Sequence, residues 1–207
     1  MKKLTIILAL FIAMPAFAEE AAETPTKSAR DNSIGIRLHK NERMDFEFEN
    51  GIVDRHVKDD QFGFGATIGN KLTEHVKVEF ETSYTGANFW LDGYVHDYDI
   101  WSNMINMYMF SAIDGVVEPY VGLGLGISAI FADARGAAGN LRETALELSW
   151  QLMAGVSFAL NERVDLNVGF KYQNYGDVKF AKSGVAMGTT DIDATEFYFG
   201  AAYKFGL

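Results

Sequence analysis

The sequence predicts an all-β protein, an eight-stranded antiparallel up-and-down transmembrane β-barrel. Beyond residue 33, large apolar residues alternate with small or charged ones almost to the end of the chain, a pattern typical of strands with two different faces. Short and long connections alternate between these segments, as in a meander whose long loops all lie on one side. No proline interrupts a segment, where it would remove a hydrogen bond from the sheet.

The first predicted strand covers residues 34–48, and its apolar phase begins at Ile34. We expect the same phase to continue through Met44, Phe46 and Phe48. The next three predicted strands cover residues 62–69, 76–84 and 101–110.

The last four predicted strands cover residues 119–132, 143–160, 164–173 and 194–207. The segment 143–160 is rich in Ala, Leu, Glu and Gln, which are good helix formers, so a helix is its alternative. Every even position from Leu146 to Leu160 is apolar, however. That period of two favours a strand.

The N-terminus is predicted to be a processing signal. Residues 1–18 combine two lysines, a short apolar run and a small-residue cleavage motif ending at Ala18, the features of a secretory signal peptide. Residues 19–33 read as a flexible leader, which leaves the barrel as 34–207. Without residues 1–18, the chain has 16 basic and 28 acidic residues, a net charge of −12, which argues against nucleic-acid binding.

The size of the two phases decides which one faces lipid. An eight-stranded barrel has an interior just wide enough for its side chains, and the mostly large apolar phase would overfill it. Turning basic residues to lipid would cost about 2–4 kcal/mol each at the midplane. We therefore expect a closed lumen with an interior polar network of Arg37, Lys77, Glu79, Glu81, Glu147, Asp165, Lys171, Glu196 and Lys204. The same inward phase holds eleven of the 20 glycines.

Two segments carry a family resemblance. "NMYMF" (106–110), a short turn and "PYVGLGLGISAI" (119–130) resemble the fourth and fifth strands of the small outer-membrane barrels related to the opacity proteins and the OmpA barrel. The resemblance implies a surface protein of the Gram-negative outer membrane, surrounded by lipids and lipopolysaccharide and inserted by the barrel assembly machinery. It also implies a C-terminal assembly signal, matched by Gly200, Tyr203, Phe205 and Leu207.

The resemblance identifies architecture better than function. We expect a structural or binding role, including adhesion, carried by the long loops. The loop 86–97 holds Phe89, Trp90 and Tyr94 among polar residues, a composition found in binding hot spots. Its alternative is anchoring of strand ends in the outer headgroups.

Two other functions stay open at this stage: an outer-membrane enzyme acting on lipid A, and a narrow porin-like channel. The four histidines, His39, His56, His75 and His96, show no spacing that points to a catalytic set or a metal site. We therefore expect no catalytic residues, no metal and no cofactor.

Overall fold

The computed structural model describes residues 32–48, 54–55, 61–91, 94–111, 116–136, 139–182 and 185–206. Its strands are β1 (Asn32–Phe48), β2 (Asp54–Arg55), β3 (Phe62–Lys71), β4 (Val76–Leu91), β5 (Tyr94–Phe110), β6 (Val117–Gly136), β7 (Gly139–Ala159), β8 (Val164–Lys182) and β9 (Val185–Phe205). No helix in these ranges is both long and apolar enough to cross a membrane. The predicted signal peptide, the predicted leader up to residue 31 and Leu207 lie outside the described residues, whereas Asn32 and Ser33, placed in the predicted leader, are the first residues of β1.

The eight long strands close into a barrel. Each pairs antiparallel with its neighbour in the sequence, and β1 also pairs with β9, from Asn32–Phe205 upwards. The short β2 pairs with the far end of β1, at Phe46 and Glu47. The predicted fold class is confirmed. The helix alternative for 143–160 is wrong, because this segment lies within β7.

Side-chain hydrogen bonds hold two of the short turns at one end of the barrel. The Thr73 hydroxyl accepts from the backbone N–H groups of His75 and Val76, at 3.2 and 3.0 Å. Asn161 accepts in the same way from Arg163 and Val164, at 2.8 and 2.9 Å. Thr and Asn favour such turns because their side chains reach the backbone two or three residues further on.

The two faces of the barrel wall differ as predicted. Large apolar side chains such as Ile36, Phe64 and Leu125 are exposed on the outside, whereas polar and small residues point inward. Aromatic rings meet on the outer surface, where the Tyr84 ring lies 5.5 Å from Phe64 and 5.2 Å from Trp101.

Three of the four predicted long loops are instead mainly strand. Only two residues separate β4 from β5, β6 from β7, and β8 from β9. The predicted binding loop is therefore a hairpin, with Phe89 and Trp90 in β4 and Tyr94 at the start of β5. Pairing satisfies backbone groups that a loop would leave to water. The many polar residues in these segments made them resemble loops in the sequence.

Beyond the closed wall, the long strands divide into two sheets. The ladder between β3 and β4 ends at Gly63–Thr85, and the ladder between β7 and β8 ends at Trp150–Asn174. Past these pairs, within the described residues, one sheet contains β4 to β7 and the other contains β8, β9, β1 and β2. We call this part the two-sheet extension, and the closed part the membrane barrel.

An apolar core lies between the two sheets. The Phe46 ring from one sheet lies 4.9 Å from Phe89 and 4.7 Å from Tyr98 of the other. Its buried members are Met44, Phe46, Ala87, Phe89, Tyr98, Ile100, Ile130, Ala132, Tyr175, Val178, Ile192 and Ala194. The extension is thus packed like a small β-sandwich.

The expectation that Met44 and Phe46 share the outward phase of Ile34 is wrong. Both side chains are fully buried and face the core of the extension. The register between β1 and β9 shifts between Asn41 and Arg43, so Glu42 is an extra residue in β1. Such a bulge changes which residues face inward beyond it. The side chain of Phe48 lies outside the described residues.

Candidate functional site: the lumen and the two-sheet extension

Aromatic residues fill the lumen at the end with the short turns. This layer is formed by Tyr108, Phe110, Tyr120, Met153 and Tyr198. The hydroxyls of Tyr120 and Tyr198 are hydrogen-bonded at 2.6 Å, and the rings of Tyr108 and Tyr120 meet edge to face at 5.5 Å.

Glycines in the neighbouring, hydrogen-bonded strands make room for these tyrosines. Tyr120 is in register with Gly155, and Tyr198 with Gly169. A Cβ atom added to Gly155 would lie 2.6 Å from the Tyr120 hydroxyl oxygen, and one added to Gly169 would lie 2.5 Å from the Tyr198 ring. Inward glycines therefore allow the aromatic rings to pack against the opposite backbone and fill the lumen.

Arg37 organises the charged layer in the middle of the lumen. Its guanidinium donates to Glu79 Oε1 at 2.8 Å and to Glu81 Oε2 at 2.7 Å, and it lies 5.0 Å from the centre of the Tyr198 ring. Lys77 adds a second cation to Glu79, with its Nζ at 2.6 Å from Oε2. Charge-assisted pairs of this kind are what permit carboxylates to be buried.

A second group of charges surrounds Glu196. Its Oε2 forms an ion pair with Lys171 Nζ at 3.0 Å, and its Oε1 accepts from the Tyr175 hydroxyl at 2.6 Å. His39 joins the two groups, because its Nδ1 lies 3.2 Å from Glu196 and its Nε2 lies 3.4 Å from Glu81. The charged layer is thus one connected network across the lumen.

The structure brings most of the predicted network residues together, but not all. Asp165 and Lys204 form a separate pair at 2.7 Å, nearer the short turns. Glu147 shares the inward phase but lies beside Gly176 in β8, away from both groups.

Sequence reasoning missed the neutral members of the network, such as Asn106 and Gln151. Asn106 donates to Glu81 at 2.9 Å, and Gln151 donates to Asn106 at 2.6 Å. Their inward phase was the available signal.

The three predicted binding residues, Phe89, Trp90 and Tyr94, lie in different environments in the extension. The Phe89 side chain is buried in the core of the extension, where His96 stacks on it at 5.2 Å. Trp90 points outward and is 71% exposed, and its partner across the ladder is Val95. The side chain of Tyr94 lies outside the described residues. The three residues therefore do not form one aromatic cluster.

Polar side chains surround Trp90 on the same outward face. Asn88 donates to Asp97. Arg142 forms two hydrogen bonds to Asp133, both at 2.7 Å, and these lower the pKa of Asp133 below its usual value. Arg135 lies 3.5 Å from Asp97 and 3.6 Å from Asp133. The charges of this face are therefore held by one another.

Three residues of the predicted C-terminal signal, Gly200, Tyr203 and Phe205, lie on β9, the last strand of the membrane barrel. Gly200 is buried opposite Arg37, and Tyr203 is exposed on the outer surface opposite Ile34. Phe205 pairs with Asn32 at the end of the closing ladder. The assembly role of these residues stays a prediction.

A closed wall with an apolar exterior and a filled polar interior defines an integral barrel protein of the bacterial outer membrane. The chain belongs to the outer membrane protein beta-barrel domain family, whose model matches residues 4–205. The two-sheet extension lies at the end of the barrel opposite the short turns.

One curated protein of the outer membrane is similar to this chain in sequence. The chain is 31% identical over 105 residues to outer membrane protein W of Vibrio cholerae, an alignment that covers 47% of this chain and 48% of that protein. The chain thus spans about half the length of this curated relative.

Two solved structures share the fold. The first is Neisserial surface protein A, with a TM-score of 0.63 at 15% identity, covering 86% of this chain and 98% of the other. The second is the attachment invasion locus protein of Yersinia pestis, solved with the heparin analogue sucrose octasulfate, with a TM-score of 0.54 at 16% identity, covering 85% of this chain and 99% of the other. At these identities, the likeness concerns the fold alone.

Proposed function

We propose that the protein is a closed, non-catalytic surface barrel of the outer membrane, and that its two-sheet extension makes the contacts with partners. The observation that carries this proposal is the extension itself. Seven long strands, β1 and β4 to β9, continue past the closed wall and pack on a core of their own. A rigid platform outside the membrane costs ordering entropy, which a purely structural barrel could avoid with short loops.

The filled lumen supports the non-conducting part of the proposal. The aromatic layer, the charged layer and the apolar core of the extension follow one another along the barrel axis, and their side chains contact each other across it. A closed lumen would leave the outer surface of the extension as the main area available for a partner.

The position of His39 supports the non-catalytic part. It lies deep in the charged layer between two glutamates, not at the outer leaflet where lipid A is found. His56 lies outside the described residues. We also propose that the mature chain begins after Ala18.

The test uses cells that express the full protein or a trimmed variant. Thr85 and Ile100 are partners in the β4–β5 ladder, so a two-residue turn can join them and remove the outer part of this hairpin. Heat-modifiable migration of the trimmed protein checks that the membrane barrel still folds.

We expect cells with the full protein to adhere to host matrix more than cells lacking it, and trimming to abolish the difference. Equal adhesion by all three strains would overturn the binding role. Large, stable single-channel conductance of the purified protein in planar bilayers would overturn the closed lumen and favour the narrow-channel alternative.

A further inference from the structure

The outward face of the sheet β4–β7 in the extension is wide and carries a mixed surface. Residues that are partners across neighbouring strands form two rows on this face. The first row contains Trp90, Val95 and Arg135, and the second contains Asn88, Asp97, Asp133 and Arg142. Below these rows lies one mixed row with Asp99 and Phe131, and below it the same strands present Tyr84, Trp101 and Leu146, where the continuous apolar band begins. The polar face is therefore continuous with the lipid-facing wall.

Trp90 lies too high to anchor the protein in the headgroups. A strand rises about 3.3 Å per residue and tilts by about 35–45° in such barrels, so six residues from Tyr84 to Trp90 correspond to about 15 Å of height. The headgroup layer on each side of a bilayer is only about 5–8 Å thick. The anchoring alternative therefore applies to Tyr84 and Trp101 rather than to Trp90.

The direction of this face restricts what it can meet. Outward side chains of a barrel strand point away from the barrel axis, and hence sideways over the membrane, not up into the medium. At this height, the neighbour of a barrel in the outer leaflet is the saccharide part of the surrounding lipopolysaccharide.

The chemistry of the face suits sugars better than lipid tails or phosphate groups. An exposed indole attracts the positively polarised C–H bonds on one face of a sugar ring, because its own π face is negative. The carboxylate and amide groups of Asp97, Asp133 and Asn88 are hydrogen-bond partners for hydroxyls. In the described part of this face, Arg135 and Arg142 are each paired with aspartates, so it presents mixed hydrogen-bond donors and acceptors rather than a cluster of cations suited to phosphate.

We propose that the face formed by Trp90, Asn88, Asp97, Asp133 and Arg135 binds the oligosaccharide of lipopolysaccharide molecules in the same leaflet, with Trp90 stacking on a sugar ring. This proposal deepens the proposed function and rests on the placement of the extension outside the membrane. In this arrangement, the outward face of the β4–β7 sheet binds the saccharides of neighbouring lipopolysaccharide, and the tips of the hairpins remain available to other partners.

The experiment uses tryptophan as its own reporter, because the chain has only three tryptophans. The double variant Trp101→Phe, Trp150→Phe keeps Trp90 alone. The full-length mature protein is placed in bilayers whose outer leaflet holds either lipid A or lipopolysaccharide with its core oligosaccharide, and acrylamide quenching is measured. We expect the quenching constant to fall about twofold with the oligosaccharide present, since stacking covers one of the two faces of the indole.

A matched reporter controls for changes in insertion. The variant Trp90→Phe, Trp150→Phe keeps Trp101, which lies in the apolar band, and should be quenched equally in both bilayers. Equal quenching of Trp90 in the two bilayers would overturn the proposal. If free oligosaccharide in solution protected Trp90 but membrane-bound lipopolysaccharide did not, the proposal that the ligand is lipopolysaccharide of the same leaflet would be overturned.

A variant tests the polar part of the face. In the Trp90 reporter, Asp97→Ala and Asp133→Ala together should return the quenching constant in lipopolysaccharide towards its lipid A value, and unchanged protection would contradict the assigned contacts. This assay involves no host surface. A protein whose Trp90 is unprotected but whose cells still adhere would disprove this inference and leave the proposed function in place.

Discussion

The membrane barrel and the two-sheet extension are built from the same strands but are inverted with respect to each other. In the barrel, Ile36 and Leu125 face outward, and Arg37 and Glu81 face inward. In the extension, Phe46 faces inward, and polar residues such as Asp133 face outward. Lipid surrounds the first region and water the second. The barrel therefore buries its polar side chains, which lipid solvates poorly, and the extension buries its apolar side chains, which water solvates poorly.

The two regions also differ in how they fill their interiors. The barrel needs paired charges and glycines, because its polar residues must satisfy one another within a narrow lumen. The extension relies on apolar packing, as a soluble sandwich does. This difference predicts that changes in the two regions fail in different ways.

The largest expected effect concerns assembly of the barrel wall. Replacing Phe205 and Leu207 with Ala should reduce the amount of protein in the outer membrane several-fold and increase its degradation in the periplasm, if the assembly machinery reads these residues. The measurement is surface labelling of cells at equal expression. The matched change Phe131→Ala, also on an outward face, should have less effect, and unchanged surface levels in the C-terminal variant would place the signal elsewhere.

The second prediction breaks the charged layer. Arg37→Met leaves Glu79 and Glu81 close together without their main cation, and losing one partner of a buried pair costs about 3–5 kcal/mol. Urea unfolding in detergent, followed by heat-modifiable migration, measures the change. Lys40→Met is the control. Lys40 lies on the same strand but is exposed, and its ion pair with Glu42, at 3.6 Å, is on the surface. Equal midpoints for the two variants would show that the network contributes little.

The third prediction separates the two regions. Phe46→Ala removes a large side chain from the core of the extension, at a cost of about 3–5 kcal/mol. We expect rapid cleavage of the extension by added protease while the membrane barrel stays heat-modifiable. Phe80→Ala, on the lipid-facing side of β4, leaves no cavity in this core and should keep the extension resistant to protease. Simultaneous loss of both regions in Phe46→Ala would mean that they fold as one unit.

The smallest effect concerns pH. The pKa of Asp133 is lowered by its hydrogen bonds from Arg142, so this pair stabilises the extension above the ordinary aspartate pKa of about 4, and the contribution is lost as the pH falls through the lowered value. Arg142→Ala should remove this small acid-dependent loss and change little at pH 7, since the Arg142 side chain is largely exposed and the pair is screened by water.

Protease protection of the extension between neutral and acid pH measures the difference. Arg163→Ala, at an exposed turn on the opposite side of the membrane barrel, is the control and should keep the wild-type pH profile. An unchanged profile in Arg142→Ala would contradict the prediction.

Alternation alone was sufficient to predict the membrane barrel, because every lipid-facing strand must keep one apolar face. It identified the inward position of Arg37, Glu81 and Glu196. It could not identify the extension, because beyond the membrane the solvent changes and the inward phase becomes apolar, as at Phe89 and Ile100. Neither did it show the bulge at Glu42. The bulge and the change from a lipid-facing wall to an apolar core each invert the phase, so Leu38 and Met44 stay in the same alternation.

That bulge has a consequence for the length of the chain. Deleting one residue inside a regular strand turns every following side chain to the opposite face. Deleting Glu42 would instead restore regular pairing with β9 and leave Asn41, Met44 and Phe46 facing inward as before. The position is therefore a site where β1 can lose one residue without inverting either region. The same deletion at Leu38 would turn the following inward residues, His39 and Asn41, to the lipid-facing side.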